Sequence, residues 1–254
     1  MIRSILNVKG GVGKTTTSIQ LAAGFAMSGR KTLLIDADGQ GNATALLKPD
    51  YTPEEPCIIE AIKGMKPIQD CIYPTAIENL FILPARLDLF STIYELQSGS
   101  LSAFPQLVLR NLLRPLGYDE IVIDNNPSIN IMSINSVVSA QQIIIPTNID
   151  AGGLAGVKAT WDHCRSVMNS GLDRQDPLDI RILITMINRT KADREIIEQL
   201  RAAYGSRVFA SQIRYQAGPV KNHNLTNSIL IEDPKSGVAE DYRKLISEVM
   251  TEEN

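Results

Sequence analysis

Two lysines in a glycine-rich loop are the first residues of this chain that could do chemistry. Residues 9–16 read KGGVGKTT. Such glycines let the backbone turn several N–H groups towards an anion, and the start of a following helix adds positive potential. Lys14 can reach the terminal phosphates of a nucleotide, and the Thr15 hydroxyl can bind Mg²⁺. The spacing therefore predicts a nucleotide-binding loop made of Gly10, Gly11, Val12, Gly13, Lys14, Thr15 and Thr16.

The loop departs from the strict P-loop pattern, which requires a glycine where this chain has Val8. A plain strand-to-helix turn is the alternative, but such a turn does not need a Lys-Thr pair after its last glycine. Lys9 adds a second cation where it cannot easily lie along the phosphates that Lys14 neutralises. It is therefore either a solvated surface lysine or a ligand for a second nucleotide.

Two later segments bring carboxylates to the ends of apolar strands. An N-terminal strand, Ile2–Val8, and a helix, Thr15–Ser28, are followed by a strand, Lys31–Ile35, that runs into DADGQGNAT at residues 36–44. A further strand ends at Asp124. Because the carboxyl ends of strands beside a P-loop strand face the nucleotide crevice, Asp124 would hold Mg²⁺ together with Thr15. Taken alone, each acid could simply end a strand or cap a loop.

Together these segments closely resemble the deviant P-loop of the ParA/MinD family, over a stretch from Met1 to about Met250. The resemblance implies that Lys9 reaches across an ATP-sandwiched dimer to the partner's phosphates. It also implies that Asp38 positions the attacking water, that Asp36 supports the metal site and that Asn188 reads the adenine edge.

Two loops differ from the family pattern. Gly39 stands where the family has proline, and Asn125-Asn126-Pro127 stands where it usually has Cys-Pro-Pro or a similar triplet. We therefore expect both loops to be looser than in the family.

Short apolar strands alternate with helical stretches, which favours an α/β fold with a mostly parallel, twisted sheet covered by helices on both faces. Further strands are predicted at Leu80–Leu83, Gln142–Ile145 and Arg181–Met186, and helices at Leu154–Asn169 and Gly237–Met250. Each helix carries an apolar stripe at helical spacing that we expect in the core: Val157, Trp161, Cys164 and Met168 in the first, and Val238, Tyr242, Leu245, Ile246 and Val249 in the second. The resemblance implies a P-loop NTPase of the deviant Walker A (SIMIBI) type. No linker or repeat divides the 254 residues, so we expect one ATPase domain and no N-terminal helix-turn-helix domain.

Composition argues against several other classes of protein. The three cysteines (Cys57, Cys71 and Cys164) are scattered, which predicts reduced thiols and no zinc or iron–sulfur site. His163 and His223 have no acidic partner at a useful spacing. The chain has neither a secretory leader nor an apolar run of about 18 residues, which predicts a cytoplasmic protein. Residues 247–254 are acidic, so an anionic lipid surface would repel them.

Positive charge is concentrated between residues 181 and 221, although the net charge is −3. A helix predicted after Thr190 carries three basic residues on one face: Lys191, Arg194 and Arg201. This stripe suits contacts to DNA phosphates without base readout. A solvated helix face with pairs such as Arg194–Glu198 is the alternative. The family resemblance adds Arg189 and Arg214 as DNA-contacting residues.

The resemblance implies a ParA-like (Soj-like) ATPase with ATP and Mg²⁺ as cofactors. Such a protein forms an ATP-dependent homodimer, binds non-specific DNA on the nucleoid and hydrolyses ATP weakly until DNA and a partner stimulate it. The partner is a ParB-like centromere-binding protein or a cargo adaptor, and the cargo is a plasmid, a chromosome or another body. A MinD-like membrane-associated ATPase, disfavoured by the acidic tail, and a nucleotide-switched scaffold with little hydrolysis are the alternatives.

Overall fold

The protein is built on one eight-stranded sheet. A computed structural model describes residues 1–171, 177–188 and 190–251. The strands are β1 Ile2–Ile5, β2 Thr32–Ala37, β3 Tyr73–Pro74, β4 Leu80–Leu83, β5 Glu120–Asn125, β6 Gln142–Thr147, β7 Asp179–Ile187 and β8 Val208–Arg214. Their order across the sheet is β3-β4-β2-β5-β1-β6-β7-β8. The short β3 is antiparallel to β4, and the other neighbours are parallel.

Helices cover both faces of this sheet. They are α1 Lys14–Met27, α2 Asn42–Leu47, α3 Ile58–Ile62, α4 Leu89–Gln97, α5 Val108–Leu113, α6 Ile131–Ser139, α7 Ala151–Met168, α8 Lys191–Tyr204, α9 Ala217–Thr226 and α10 Gly237–Thr251. Because successive strand residues point to opposite faces, Leu34 joins the core formed with α1 and α10, whereas Leu33 and Ile35 join the core under α3–α6. The predicted α/β architecture is confirmed.

The strand before the glycine-rich loop is shorter than the sequence predicts. The predicted strand ran to Val8, but β1 ends at Ile5. The Leu6 N–H still donates to the Ile144 carbonyl of β6. After Leu6, bonds that involve side chains replace the backbone pairing. Asn7 Nδ2 donates to the Pro146 carbonyl at 2.8 Å, and Val8 N–H donates to Thr160 Oγ1 at 3.1 Å. The chain therefore leaves the sheet three residues early and opens into the loop.

The two predicted apolar helix stripes differ in outcome. In α10 all five predicted residues are buried: Val238, Tyr242, Leu245, Ile246 and Val249. In α7, Val157 and Cys164 are buried, but Met168 at the end of the helix is 36% exposed. Trp161 is partly buried against the same core. The prediction of Met168 as a core residue was wrong, and Met168 is the last residue of α7.

A buried ionic cluster lies at the amino edge of the sheet. Arg3 is fully buried on β1 and bonds Glu120, which is 2% exposed at the start of β5. Arg30 bonds the other oxygen of Glu120, and Arg3 Nε donates to Gln142 Oε1 at 3.1 Å. The Arg3 guanidinium also lies 4.7 Å from the centre of the Phe25 ring. This cluster ties the starts of three neighbouring strands together.

Replacing Glu120 with alanine should destabilise the protein strongly. The substitution leaves the Arg3 charge buried without its carboxylate, which typically costs about 3–5 kcal/mol. Urea denaturation of the nucleotide-free protein measures this loss. Glu54→Ala, on an exposed loop, is the control and should leave the free energy of unfolding unchanged. An equally small effect for both variants would contradict a structural role for the cluster.

Candidate active site

The glycine-rich loop takes a conformation that needs glycine at two positions. Gly11 has φ 72° and Gly13 has φ 83°, in the left-handed region that side chains disfavour. Val12 between them is buried, and its carbonyl accepts a hydrogen bond from Thr185 Oγ1 at 3.0 Å. Helix α1 starts at Lys14, so its first N–H groups point to the loop. This conformation, held against β7 by Thr185, is suited to binding an anion.

Lys14 lies at the centre of the site. Its side chain is almost buried, and Nζ donates to the Lys9 carbonyl at 2.9 Å. Burial lowers the pKa of Lys14, while the charges of Asp124 and Asp38 oppose this shift. The fold thus brings these three predicted residues together although they come from three separate segments.

Asp124 carries an unsatisfied oxygen in this site. It is fully buried on β5, and Ser18 Oγ donates to its Oδ1 at 2.9 Å. Its Oδ2 is buried with no hydrogen-bond partner among the described residues. Burial and the neighbouring charge of Asp36 raise the pKa of Asp124, whereas hydrogen bonding by the Thr15 and Ser18 hydroxyls acts in the opposite direction. A buried carboxylate oxygen that lacks a donor, beside a threonine hydroxyl, is a suitable ligand for a divalent cation.

Asp36 is paired with Asp124 across β2 and β5, but its own oxygens are occupied. Its Oδ1 accepts from Asp38 N–H at 3.1 Å. Its Oδ2 accepts from Thr44 N–H at 2.9 Å and from Thr44 Oγ1 at 2.8 Å. Burial raises the pKa of Asp36. In this structure Asp36 fastens the β2–α2 loop, residues 38–41, to the sheet.

The asparagines after Asp124 are held by hydrogen bonds. Asn125 Nδ2 donates to Ser4 Oγ at 2.8 Å and to the Ile5 carbonyl at 3.0 Å. Its Oδ1 accepts from Ser136 Oγ at 2.6 Å. Both asparagines are nearly buried. Side-chain bonds to β1 and α6 thus fix the segment where the family pattern uses proline.

Lys9 is bound to a neighbouring loop of its own chain. Its Nζ donates to Asp150 Oδ1 at 2.5 Å and to Asn148 Oδ1 at 2.9 Å. Asp150 also caps α7 by accepting from Gly153 N–H at 2.6 Å. Lys9 and Asp150 are 25% and 52% exposed, so the pair lies at the surface of the carboxyl edge.

A cavity of about 400 Å³ adjoins the glycine-rich loop. Apolar and aromatic groups dominate its lining, which includes Gly13, Met186, Tyr215 and Val220. Asn188 lies outside this cavity, exposed at the end of β7. Sequence reasoning missed Met186, whose φ of 57° is strained for a methionine. No local pattern marks it, because its position follows from irregular pairing of β7 with β8.

The predicted DNA-contacting residues fall into three groups. Lys191, Arg194 and Arg201 are exposed on α8, with Lys191 Nζ 3.9 Å from Glu195. The Arg194–Glu198 pair does not form within the described part of the chain. Arg189 lies outside the described residues. Arg214 is bonded through Nε and Nη2 to Asp241 of α10, both at 2.7 Å.

The expectation that His223 has no acidic partner was wrong. Its Nδ1 lies 2.6 Å from Ser228 Oγ, and its Nε2 lies 3.7 Å from Asp233 Oδ2. The second distance exceeds that of a hydrogen bond, so the three groups form no proton relay. They instead hold the end of α9 against the following loop.

Comparisons with known proteins point to one family. A family model described as an AAA domain matches residues 1–180. The chromosome partitioning protein ParA of Myxococcus xanthus is 33% identical over 97% of this chain and 86% of its own length. The chromosome-partitioning ATPase Soj of Thermus thermophilus is 34% identical over 97% and 94%.

A solved structure supports the same relationship. An aspartate-to-alanine variant of McdA from Cyanothece, in complex with ATP, superimposes with a TM-score of 0.85 at 25% identity. The match covers 98% of this chain and 96% of that one. Among the described residues, no helix combines the length and apolar character needed to span a bilayer.

Replacing Asp124 with asparagine should stabilise the protein when metal and nucleotide are absent. A raised carboxyl pKa favours folding at low pH, and this contribution is lost as the pH rises through the raised pKa. The variant should therefore gain at least about 1 kcal/mol over the wild type at pH 8 and less at pH 5. Thermal unfolding in EDTA at both pH values measures the difference.

The exposed variant Asp50→Asn is the control and should show no such pH-dependent gain. An Asp124→Asn protein that is less stable than the wild type at pH 8 would contradict the assignment of Asp124 as an uncompensated buried carboxylate.

Proposed function

Because the chain belongs to the ParA/Soj type of the ParA/MinD family of P-loop ATPases, we propose that it is an ATP-switched, DNA-binding partition ATPase. One observation carries the proposal: Lys14, Asp38 and Asp124 converge under the glycine-rich loop, while Lys9 lies at the surface of the same edge. ATP would join two copies face to face, the dimer would bind DNA, and hydrolysis would release it.

Each part of the site has a role in this proposal. The loop N–H groups and Lys14 bind the phosphates, and the apolar cavity beside Gly13 takes the adenine, with Asn188 as the candidate for its edge. Thr15 and the unsatisfied Asp124 would hold Mg²⁺, which neutralises phosphate charge when bound. Asp38 orients the attacking water, and its Oδ1 is itself fixed by Gln40 N–H at 3.0 Å.

Dimerisation requires Lys9 to leave its own chain. The Lys9–Asp150 pair is partly solvent-exposed, and such pairs contribute only about 0–1 kcal/mol. Contact with the phosphates of a second nucleotide is a stronger attraction, since a triphosphate carries several negative charges. ATP in the partner would therefore draw Lys9 away from Asp150.

DNA binding is assigned to α8. Its exposed residues Lys191, Arg194 and Arg201 have long side chains that suit sequence-independent phosphate contacts. Glu195 and Glu198 are exposed on the same helix, and a DNA phosphate would replace Glu195 as the partner of Lys191. Arg214 is less suited, because a DNA phosphate would have to displace Asp241. We place the protein on the nucleoid in the cytoplasm, where a ParB-like protein or cargo adaptor would stimulate its weak hydrolysis.

The Lys9–Asp150 pair yields a test of the dimer. Asp150→Asn keeps an acceptor for the α7 cap but weakens the hold on Lys9. Because two Lys9–Asp150 pairs open in each dimer, it should lower the protein concentration needed for ATP-dependent dimers by up to about thirtyfold, the equivalent of about 2 kcal/mol. Lys9→Ala should bind ATP and stay monomeric. Sedimentation at several protein concentrations, with and without ATP, measures both.

ATP-dependent dimers of Lys9→Ala that match the wild type would contradict the bridging role of Lys9. Lys14→Ala is the reference for lost nucleotide binding. It separates a failure of dimerisation from a failure to bind ATP.

The central experiment measures binding to random-sequence duplex DNA with ATP, with ADP and without nucleotide across a salt series. We expect tight, salt-sensitive binding with ATP alone. Lys191→Glu/Arg194→Glu should weaken binding at least about tenfold and reduce the salt slope by about 2 per protomer, hence about 4 for the dimer, because each protomer loses two phosphate contacts. ATP affinity should not change.

A matched control makes the same change in net charge outside α8. Lys66→Glu/Arg114→Glu alters two exposed residues and should affect DNA binding far less. Equal losses in the two double variants would show that net charge matters rather than the α8 face. Absence of DNA binding in every nucleotide state would reject the proposed DNA function.

A further inference from the structure

Gly39, the residue after Asp38, lies directly under an aromatic ring. A Cβ atom added to Gly39 would come within 2.8 Å of Phe90 Cε2 and 2.9 Å of Phe90 Cδ2. Gly39 is not among the glycines with positive φ, so its backbone could accept a side chain. The ring of Phe90, and not the backbone conformation, therefore excludes a larger residue here.

The ring covers Gly39 in the middle of the β2–α2 loop, next to Gln40 and Gly41, whose N–H groups donate to Asp38. Asp36 fixes the loop at Asp38 N–H and at Thr44. Beyond the loop, Thr44 Oγ1 accepts from Ala85 N–H at 3.0 Å. Between these points Gly39 is buried, whereas Gln40 next to it is exposed. The Phe90 ring thus closes the loop on the solvent side.

Phe90 itself is poorly explained by the core. It lies in the first turn of α4, and 41% of it is exposed. The neighbouring Leu87 and Tyr94 are 66% and 77% exposed, so this side of α4 faces solvent. A phenylalanine on such a face gains little from general burial. Its contact with Gly39 is the feature that distinguishes it from its neighbours.

We propose that Phe90 is a positioning residue for ATP hydrolysis: its ring presses on Gly39 and holds Asp38 in the orientation that aligns water. This inference rests on the proposed function, in which Asp38 orients the attacking water. Without the ring, the loop exchanges between conformations, and only some of them place Asp38 correctly. A glycine is then required at position 39, because any side chain there would occupy the space of the Phe90 ring.

The test is a double-mutant cycle on hydrolysis at saturating ATP and DNA. Phe90→Ala removes the ring, and Gly39→Ala displaces it, since the exposed ring can rotate away. Each should lower kcat about fivefold to tenfold, because a small misplacement of a catalytic group is costly. The affinity for ATP should stay within about twofold, and the double variant should be no slower than either single variant.

Hydrogen exchange gives a second, independent readout. The amides of residues 39–41 should exchange faster in Phe90→Ala and in Gly39→Ala than in the wild type. Phe90→Tyr should retain both kcat and exchange protection, because the ring is kept. Tyr94→Ala, an aromatic truncation on the same exposed face, is the matched control and should change neither.

Several outcomes would overturn the proposal. Unchanged exchange at residues 39–41 in Phe90→Ala would show that the ring does not order the loop. If the losses in kcat of the two single variants multiply in the double variant, Phe90 and Gly39 act independently. If Phe90→Ala shows faster exchange but keeps the wild-type kcat, Phe90 does not position Asp38 for hydrolysis. If Asp38→Ala hydrolyses ATP at the wild-type rate, the assignment of Asp38 fails, whereas the exchange measurement still decides whether Phe90 orders the loop.

Discussion

Repulsion between two buried carboxylates on adjacent strands is the constraint on which the site depends. Asp36 and Asp124 lie opposite each other on β2 and β5, where little solvent screens their charges. Both oxygens of Asp36 accept hydrogen bonds from donors of Asp38 and Thr44, and these bonds shape the β2–α2 loop. The fold leaves one oxygen of Asp124 without a donor. A bound cation would satisfy this oxygen and offset the repulsion between the two carboxylates.

The amino edge of the sheet holds a stabilising ionic cluster, whereas the carboxyl edge holds the candidate active site. At the amino edge, Arg3 and Arg30 bond the two oxygens of Glu120 in a structural ionic cluster. At the carboxyl edge, the strands end in loops whose donors and acceptors face outward. Because β1 and β5 carry residues of both edges, the distance between cluster and site is fixed by rigid strands. The loops can change conformation while the sheet beneath them stays intact.

Local patterns revealed most of the site, and long-range contacts supplied the rest. Glycine spacing and acids at strand ends are local patterns, so the loop at 9–16, Asp38 and Asp124 could be predicted as candidates from sequence, and the fold brings them together. The partners of Lys9 and Gly39 were not, because Asp150 and Phe90 are distant in sequence. The parallel order of the sheet followed from alternating strands and helices, whereas the end of β1 depended on side-chain bonds that no periodicity encodes.

If two copies associate as proposed, the contact between Lys9 and Asp150 makes their association a competition between an acceptor in the same chain and one in the partner. Asp150 belongs to the same chain, so it meets Lys9 at an effective concentration of order millimolar, whereas another protomer is far more dilute. The partner would therefore displace Asp150 from Lys9 only if its bound nucleotide attracts the lysine more strongly than Asp150 does. In the proposed dimer, each protomer would release Lys9 from Asp150 only towards a neighbour that holds ATP.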